Sequence, residues 1–226
     1  MNDDLSATMR DYLSEIYRLY DRSDLKDGFV STSALADVLD VSAPAVNRMI
    51  TRLKETGFLV HEPYQGIRLT ELGEREALKE LRRHRIAEVF LVNVMGFGWH
   101  EVYDEALRMA GALSELIAAR MVEMAGNSTH CPHGEPIPTV QGEMSRPDDT
   151  LLSQAQEGAE LVITRFRTRE ADRLEYIAAL DLMPGKRLQV LHIAPFDGPM
   201  QLKVGKEYRI IGHNLAALIR VRPVEG

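Results

Sequence analysis

The sequence predicts a mostly α-helical protein that ends in a small β-barrel. Apolar residues recur at helical spacing over much of residues 5–124, and a helix, helix, turn, helix, hairpin order fills residues 5–70. From Ala159 onward the pattern turns strand-like and is cut by Pro184-Gly185, Asp197-Gly198 and Gly212. With 226 residues the chain has room for one or two domains with small appended modules, and three segments of different charge suggest three units. The boundaries read as 1–73, 74–146, a linker at 147–157, and 158–226.

Met9, Tyr12, Leu13, Ile16 and Tyr20 predict a helix over 5–21. A polar turn at 21–28 follows, and Ser31 is placed to cap a short helix carrying Leu35, Val38 and Leu39. Asp40, Val41 and Ser42 make a tight turn. Ser42 is a suitable N-cap for the next helix, and Pro44 sits in its first turn, where a missing N–H costs little. Val46, Met49, Ile50 and Leu53 form one apolar stripe, with Pro44, Asn47, Arg48 and Thr51 opposite. Gly57 closes that helix. Runs at 58–62 and 66–70, joined by Pro63, Tyr64 and Gln65, predict a hairpin. One long helix is expected over 71–94, and another from about 100 to 124. Residues 126–147 are rich in Gly, Pro, Asn and Ser. The strands of the small barrel then fall near 161–163, 187–193, 200–204 and 207–211.

Charge is informative by segment. The net charge is −7: residues 1–75 carry −4, 76–160 carry −7, and 161–226 carry +4. The total argues against a nucleic-acid binder. Residues 41–70 nevertheless hold four basic and two acidic side chains, a weak local positive patch. The single cysteine excludes an internal disulfide framework and fits a reducing compartment, hence a cytoplasmic protein. No apolar run approaches the ~18–20 residues of a membrane span, and the acidic start is unlike a secretory signal.

The order over 5–70 is that of a winged helix-turn-helix, whose second motif helix enters the DNA major groove. Ser42, Pro44, Ala45, Asn47, Arg48 and Thr51 are then the expected readers: Asn pairs with adenine, Arg with guanine, and small apolar groups touch thymine methyls. Tyr64, Gln65 and Arg68 would form the wing against phosphate or minor groove. The same order also builds a trihelical packing module whose polar face is merely solvated.

A second constellation has the donors of a metal site. His84 and Glu88 stand four apart on the long helix, hence on one face. Cys131 and His133 stand two apart in a loop stiffened by Pro132, their side chains on the same side if the segment is extended. The alternatives are a surface pair beside Arg82, Arg83 and Arg85, and a loop with a buried Cys and a turn Gly. Asp11 is a further possible ligand, or a solvated residue near a helix N-terminus.

These residues together resemble the diphtheria toxin repressor / MntR family of metal-dependent transcriptional regulators. The resemblance runs through 11–17, 36–42 with Val46, 69–73, 83–88, 102–106 and 131–138, nearly the whole chain. It implies a winged helix, a helical dimerisation domain with metal sites, and an SH3-like domain of the FeoA type. By position, Asp11, His84 and Glu88 fall on family ligands. Cys131 and His133 match a pair in streptococcal-type manganese repressors, where an acid from the C-terminal domain completes the site. Asp172 is the first choice for that acid here, with Glu170 second. The resemblance implies Mn2+ as the ion, with Fe2+ the alternative and Zn2+ or Cd2+ substituting in vitro. It also implies a homodimer on a palindromic double-stranded operator, repressing metal-uptake genes.

One departure stands out. Where the family continues after Ala106 with ligating residues, this chain reads Leu107, Arg108, Met109, Ala110 and Gly111, and Tyr103 replaces a frequent histidine. The usual primary regulatory site is thereby dismantled, which argues against a two-site mechanism, although Glu105, Asp11 and His100 could rebuild a second site. A same-fold regulator with a lost or altered metal response is therefore the competing reading, and redox sensing through Cys131 is a third. No Gly-rich phosphate loop, G-x-S-x-G elbow or H-E-x-x-H helix supports an enzyme.

Overall fold

A computed structural model describes residues 5–22, 28–145 and 147–224. Residues 23–27 of the turn expected at 21–28 lie outside the described residues, as does the acidic start at 1–4. The chain forms two compact units. The first comprises Met1–His84, Met109–Ala118 and Ile137–Ser145; the second comprises Arg85–Arg108, Ala119–Pro136 and Arg146–Gly226.

The first unit opens with α1 (Ala7–Arg22), α2 (Thr32–Leu39) and α3 (Ala43–Glu55). Ser31 caps α2 through its hydroxyl, which accepts from the Ala34 N–H at 3.1 Å. Asp40 ends α2 in the left-handed region (φ 51°), and the Val41 N–H returns to the Ala36 carbonyl at 3.1 Å. This short reversal sets α3 against α2. Ser42 occupies the N-cap position of α3 without a side-chain bond. Pro44 removes one donor from that first turn, and the Ser42 carbonyl accepts from Ala45 at 2.9 Å, so the hydroxyl has less to satisfy.

β1 (Leu59–Glu62) and β2 (Gly66–Leu69) pair antiparallel, Leu59 opposite Leu69. Gly66 has φ +117°, and a Cβ there would lie 2.3 Å from the Val30 carbonyl oxygen, so only glycine fits. Met9, Leu13, Ile16, Leu35, Val46, Ile50, Leu53 and Ile67 join in one core with Leu78 and Leu81 of α4 (Glu71–Asn93). With the stripe of α3 buried in that core, its opposite face remains outside.

The single helix expected over 100–124 is two: α5 (Val102–Ala110) and α6 (Glu115–Met124). Gly111 favours leaving the helix, and Ser114 restarts it, its hydroxyl accepting from Ile117 N–H at 3.3 Å.

In the second unit, β3 (Thr150–Leu151), β4 (Glu160–Phe166), β5 (Arg187–Ile193), β6 (Met200–Val204), β7 (Glu207–Ile211) and β8 (Ile219–Pro223) form one antiparallel sheet, in the order β3-β8-β4-β5-β6-β7. A short helix, α8 (His213–Ala216), connects the last two strands in the chain. The expected closed barrel is an open sheet. Irregularities at Ile163/Arg165 and Val190/His192 interrupt its regular pairing, but β3 has only two residues and does not pair with β7. Within 147–157, Leu152 is fully buried. Leu174 and Ile177 of α7 (Ala171–Ala179) pack with Ile163, Phe166, Val190, Leu202, Ile219 and Val221. Trp99, from the connection before α5, enters the same core.

Candidate metal centre

α4 brings Glu88 into the second unit, where it is 2% exposed. Cys131 and His133, from the loop after α6, are 5% and 4% exposed. The loop turns tightly on itself. The Gly134 N–H donates to the Cys131 carbonyl at 2.9 Å, and the Cys131 N–H to the Glu135 carbonyl at 2.8 Å. Gly134 has φ +84°, and a Cβ there would meet the Thr164 carbonyl oxygen at 1.9 Å. Only glycine lets the loop lie this close to β4, where the Phe166 N–H donates to the His133 carbonyl at 3.2 Å.

Among the described residues, Glu88, Cys131 and His133 form the one group of three or more potential metal ligands, with donor atoms all within 4.8 Å of one another. His133 Nδ1 lies 3.4 Å from Glu88 Oε1 and 3.9 Å from Cys131 Sγ. His133 Nε2 is 2.9 Å from the Trp99 carbonyl, which can only accept, so the proton resides on Nε2. In the neutral ring, the form a metal ion needs, that bond leaves the Nδ1 lone pair facing the glutamate and the sulfur. The Trp99 ring lies 5.5 Å from the imidazole and fixes its plane further.

Electrostatics describes a site poised for a cation. Burial, the largest influence on His133, disfavours its charged form. The Glu88 carboxylate and Cys131 outweigh it and raise the imidazole well above its usual value. Burial and the nearby Glu88 charge push the Cys131 thiol up. Protons therefore occupy both groups near neutrality. Nitrogen, sulfur and carboxylate oxygen at these separations fit one divalent ion, with bonds of about 2.0–2.3 Å for a zinc-like ion. An ion bound there would replace the protons on the His133 imidazole and the Cys131 thiol, leaving imidazole, thiolate and the Glu88 carboxylate as its donors.

The other expected ligands are placed differently. His84 is buried one turn before Glu88 on α4. Asp11 lies on α1, where desolvation and the Glu80 carboxylate raise its pKa. Glu105 stands exposed in the first turn of α5, paired with Arg108. Asp172 is exposed in the first turn of α7, while Glu170 pairs with Arg173 at 2.8 Å. None of these four carboxylates belongs to the Glu88 group. Sequence reasoning missed Trp99, Arg85, Glu135 and Arg169 around the loop. Trp99 carried a signal as the single tryptophan of the chain, and Arg85 and Glu135 lie in the resembling segments 83–88 and 131–138; Arg169 carried none.

On α3, Pro44, Asn47, Arg48 and Thr51 are exposed, Ser42 is exposed ahead of them, and Ala45 is half-buried. Arg52 and Lys54, not among the expected readers, are exposed beside them. Tyr64 and Gln65 stand free at the hairpin tip, while the Arg68 guanidinium lies 5.2 Å from the centre of the Phe29 ring.

A winged helix-turn-helix sharing a chain with a buried N/O/S donor group defines the class of metal-responsive DNA-binding regulators. Residues 4–67 match the iron dependent repressor N-terminal DNA binding domain. Residues 70–139 match the iron dependent repressor metal binding and dimerisation domain, and 150–223 the FeoA domain. The chain is 30% identical to the iron-dependent repressor IdeR of Mycobacterium tuberculosis over 98% of this chain and 100% of that protein. With the diphtheria toxin repressor of Corynebacterium glutamicum it shares 28% over 99% of each. Among solved structures, a manganese-dependent transcriptional repressor in complex with manganese superposes with a TM-score of 0.88 at 32% identity, over 96% of this chain and 100% of that one. ScaR with bound Zn2+ gives 0.78 at 27%, over 96% and 99%. The chain belongs to the iron-dependent repressor family of metal-dependent transcriptional regulators.

Proposed function

We propose that this protein is a cytoplasmic homodimeric repressor that binds a palindromic operator when Mn2+ occupies the Glu88/Cys131/His133 centre, with Fe2+ as the alternative ion. The observation that carries the metal response is that buried donor group, with Nδ1 turned inward by the Trp99 carbonyl. His84, buried on the same helix as Glu88, is proposed as the fourth donor. Asp172, Asp11 and Glu105 lie outside the proposed core of the site. The donor set alone does not select manganese: a thiolate suits zinc and iron as well, and intrinsic stability rises from manganese toward copper. Manganese is favoured by the solved repressor in complex with manganese. Structures of ScaR with Zn2+ and Cd2+ support substitution by those ions in vitro.

DNA recognition is assigned to the exposed face of α3, with Asn47 and Arg48 on base edges and Thr51 beside them. Tyr64, Gln65 and Arg68 serve the wing. Two such helices on one duplex need a spacing of about 34 Å, one turn of DNA. The ion would act by binding more tightly to the dimer arrangement that meets that spacing. Control of metal-uptake genes follows as the regulatory output.

A regulator of the same fold with an altered metal response is the second reading. It is favoured by the absence of donor side chains at Leu107, Ala110 and Gly111 and by the Glu105–Arg108 pair. Operator binding at fixed salt, with manganese, iron or zinc against chelator, separates the two. Metal-dependent binding supports the first reading, and equal binding with metal and chelator supports the second.

A further inference from the structure

The connection between β4 and α7 turns Arg169 back onto the loop that carries Cys131 and His133. Its guanidinium lies 4.5 Å from the centre of the Tyr103 ring, and Nη1 donates to the Tyr103 hydroxyl at 2.8 Å. Nη2 stands 3.7 Å from the Glu135 carboxylate. Arg85 of α4 pairs with the same carboxylate and donates to the Pro136 carbonyl at 2.6 Å. The Glu135 carbonyl in turn holds the Cys131 N–H. The residue that closes the loop is thus gripped from α4 and from the C-terminal module at once. The Arg85, Glu135 and Arg169 side chains are 3%, 11% and 16% exposed, so these contacts are largely shielded from water.

We infer that Arg169 is a positioning residue of the metal centre: by holding Tyr103 and Glu135 together, it fixes the loop that presents Cys131 Sγ and His133 Nδ1. The inference rests on the metal-site reading above. Arginine suits this task because a planar fork can hydrogen-bond one group, pair with a carboxylate and lie over a ring at once, which a single ammonium cannot do. The sign of its effect separates positioning from simple electrostatics. Taken as a charge alone, a guanidinium near a cation site weakens cation binding, so its removal would tighten it. As a positioning residue its removal loosens the loop and weakens binding.

The test is a Co2+ titration of the full-length protein, following the thiolate-to-cobalt and d–d absorption bands, with unfolding measured separately in chelator. Arg169→Ala should weaken Co2+ binding about fivefold to twentyfold, at or below the usual effect of outer-sphere partners of metal ligands, and should shift the d–d bands. Arg169→Lys should not restore either. Tyr103→Phe, which keeps the ring and loses the acceptor, should cost about twofold to fivefold. Arg173→Ala, whose partner is Glu170, should behave as wild type. Unchanged or tighter binding in Arg169→Ala would overturn the inference. So would rescue by lysine, an equal loss in Arg173→Ala, or a lowered unfolding midpoint with an unchanged cobalt spectrum. A wild-type protein with no Cys131-dependent cobalt band would overturn the metal-site reading itself, and the inference with it.

Discussion

Gly134→Ala is the substitution whose cost follows most directly from the geometry. The residue has φ +84°, and an alanine Cβ would sit 1.9 Å from the Thr164 carbonyl oxygen and 2.9 Å from Arg165 Cα. The left-handed conformation costs an L-residue about 1–2 kcal/mol. Relieving the overlap to the ordinary contact distance of about 3.5 Å requires the loop and β4 to separate by roughly 1.5 Å. That movement stretches the 3.2 Å bond from the Phe166 N–H to the His133 carbonyl beyond use, about 1 kcal/mol more. The total is about 2–3 kcal/mol. If the loop detaches while the unit stays folded, the loss appears as metal affinity lowered roughly 30- to 150-fold. If the native loop conformation is kept under strain, it appears as an unfolding midpoint lowered by about 4–12 °C in chelator. Paired metal titration and thermal unfolding measure both. A variant within twofold of wild type in affinity and within a degree in midpoint would refute the claim that loop and strand approach this closely.

Two further predictions concern charge. Arg48→Ala removes an exposed side chain of α3 and should weaken operator binding by about 1–3 kcal/mol if it pairs with a base. Its metal affinity and unfolding midpoint should remain those of wild type, and loss of all three together would refute the assignment. The raised pKa of His133 means the metal-free fold holds a proton there that the unfolded chain releases at lower pH. The stability it contributes is therefore fully present below the unfolded imidazole value and is lost as pH rises through the folded one. Metal must displace that proton and the one on Cys131, so log affinity should rise by about two per pH unit between about pH 6 and 7. A pH-independent affinity in that window would show that the ion binds elsewhere.

How far the sequence discloses this molecule depends on the range of the interaction involved. The Ser31 cap, the turn at Asp40, the stripe Val46, Ile50 and Leu53, and the hairpin at Tyr64 are local, and each is visible in a few neighbouring residues. The break between α5 and α6 was missed because the apolar spacing continues across it, while Gly111 and Ser114 act through backbone bonds that spacing does not register. The strand-like runs after Ala159 and their turns suggest a barrel, but closure depends on edge pairing, and β3, with two residues, does not pair with β7. At the metal centre, donor types and spacing pointed to His84, Glu88, Cys131 and His133. What orients them is remote in sequence: the Trp99 carbonyl lies 34 residues from His133, and Arg85 lies 50 residues from Glu135. The net charge of −7 also misleads as a total, since α3 exposes Arg48, Arg52 and Lys54 whatever the rest of the chain carries.

The central claim is that an ion held by Glu88, Cys131 and His133 controls DNA binding. Its most direct test is operator affinity at fixed salt, with and without Mn2+, in wild type and in Cys131→Ala. The wild type should bind at least tenfold more tightly with manganese, a coupling of about 1.4 kcal/mol or more. Cys131→Ala, folded as judged by its unfolding midpoint in chelator, should retain the metal-free affinity and lose most of that gain. A wild type indifferent to manganese, or a Cys131→Ala protein that keeps the full response, would contradict the account.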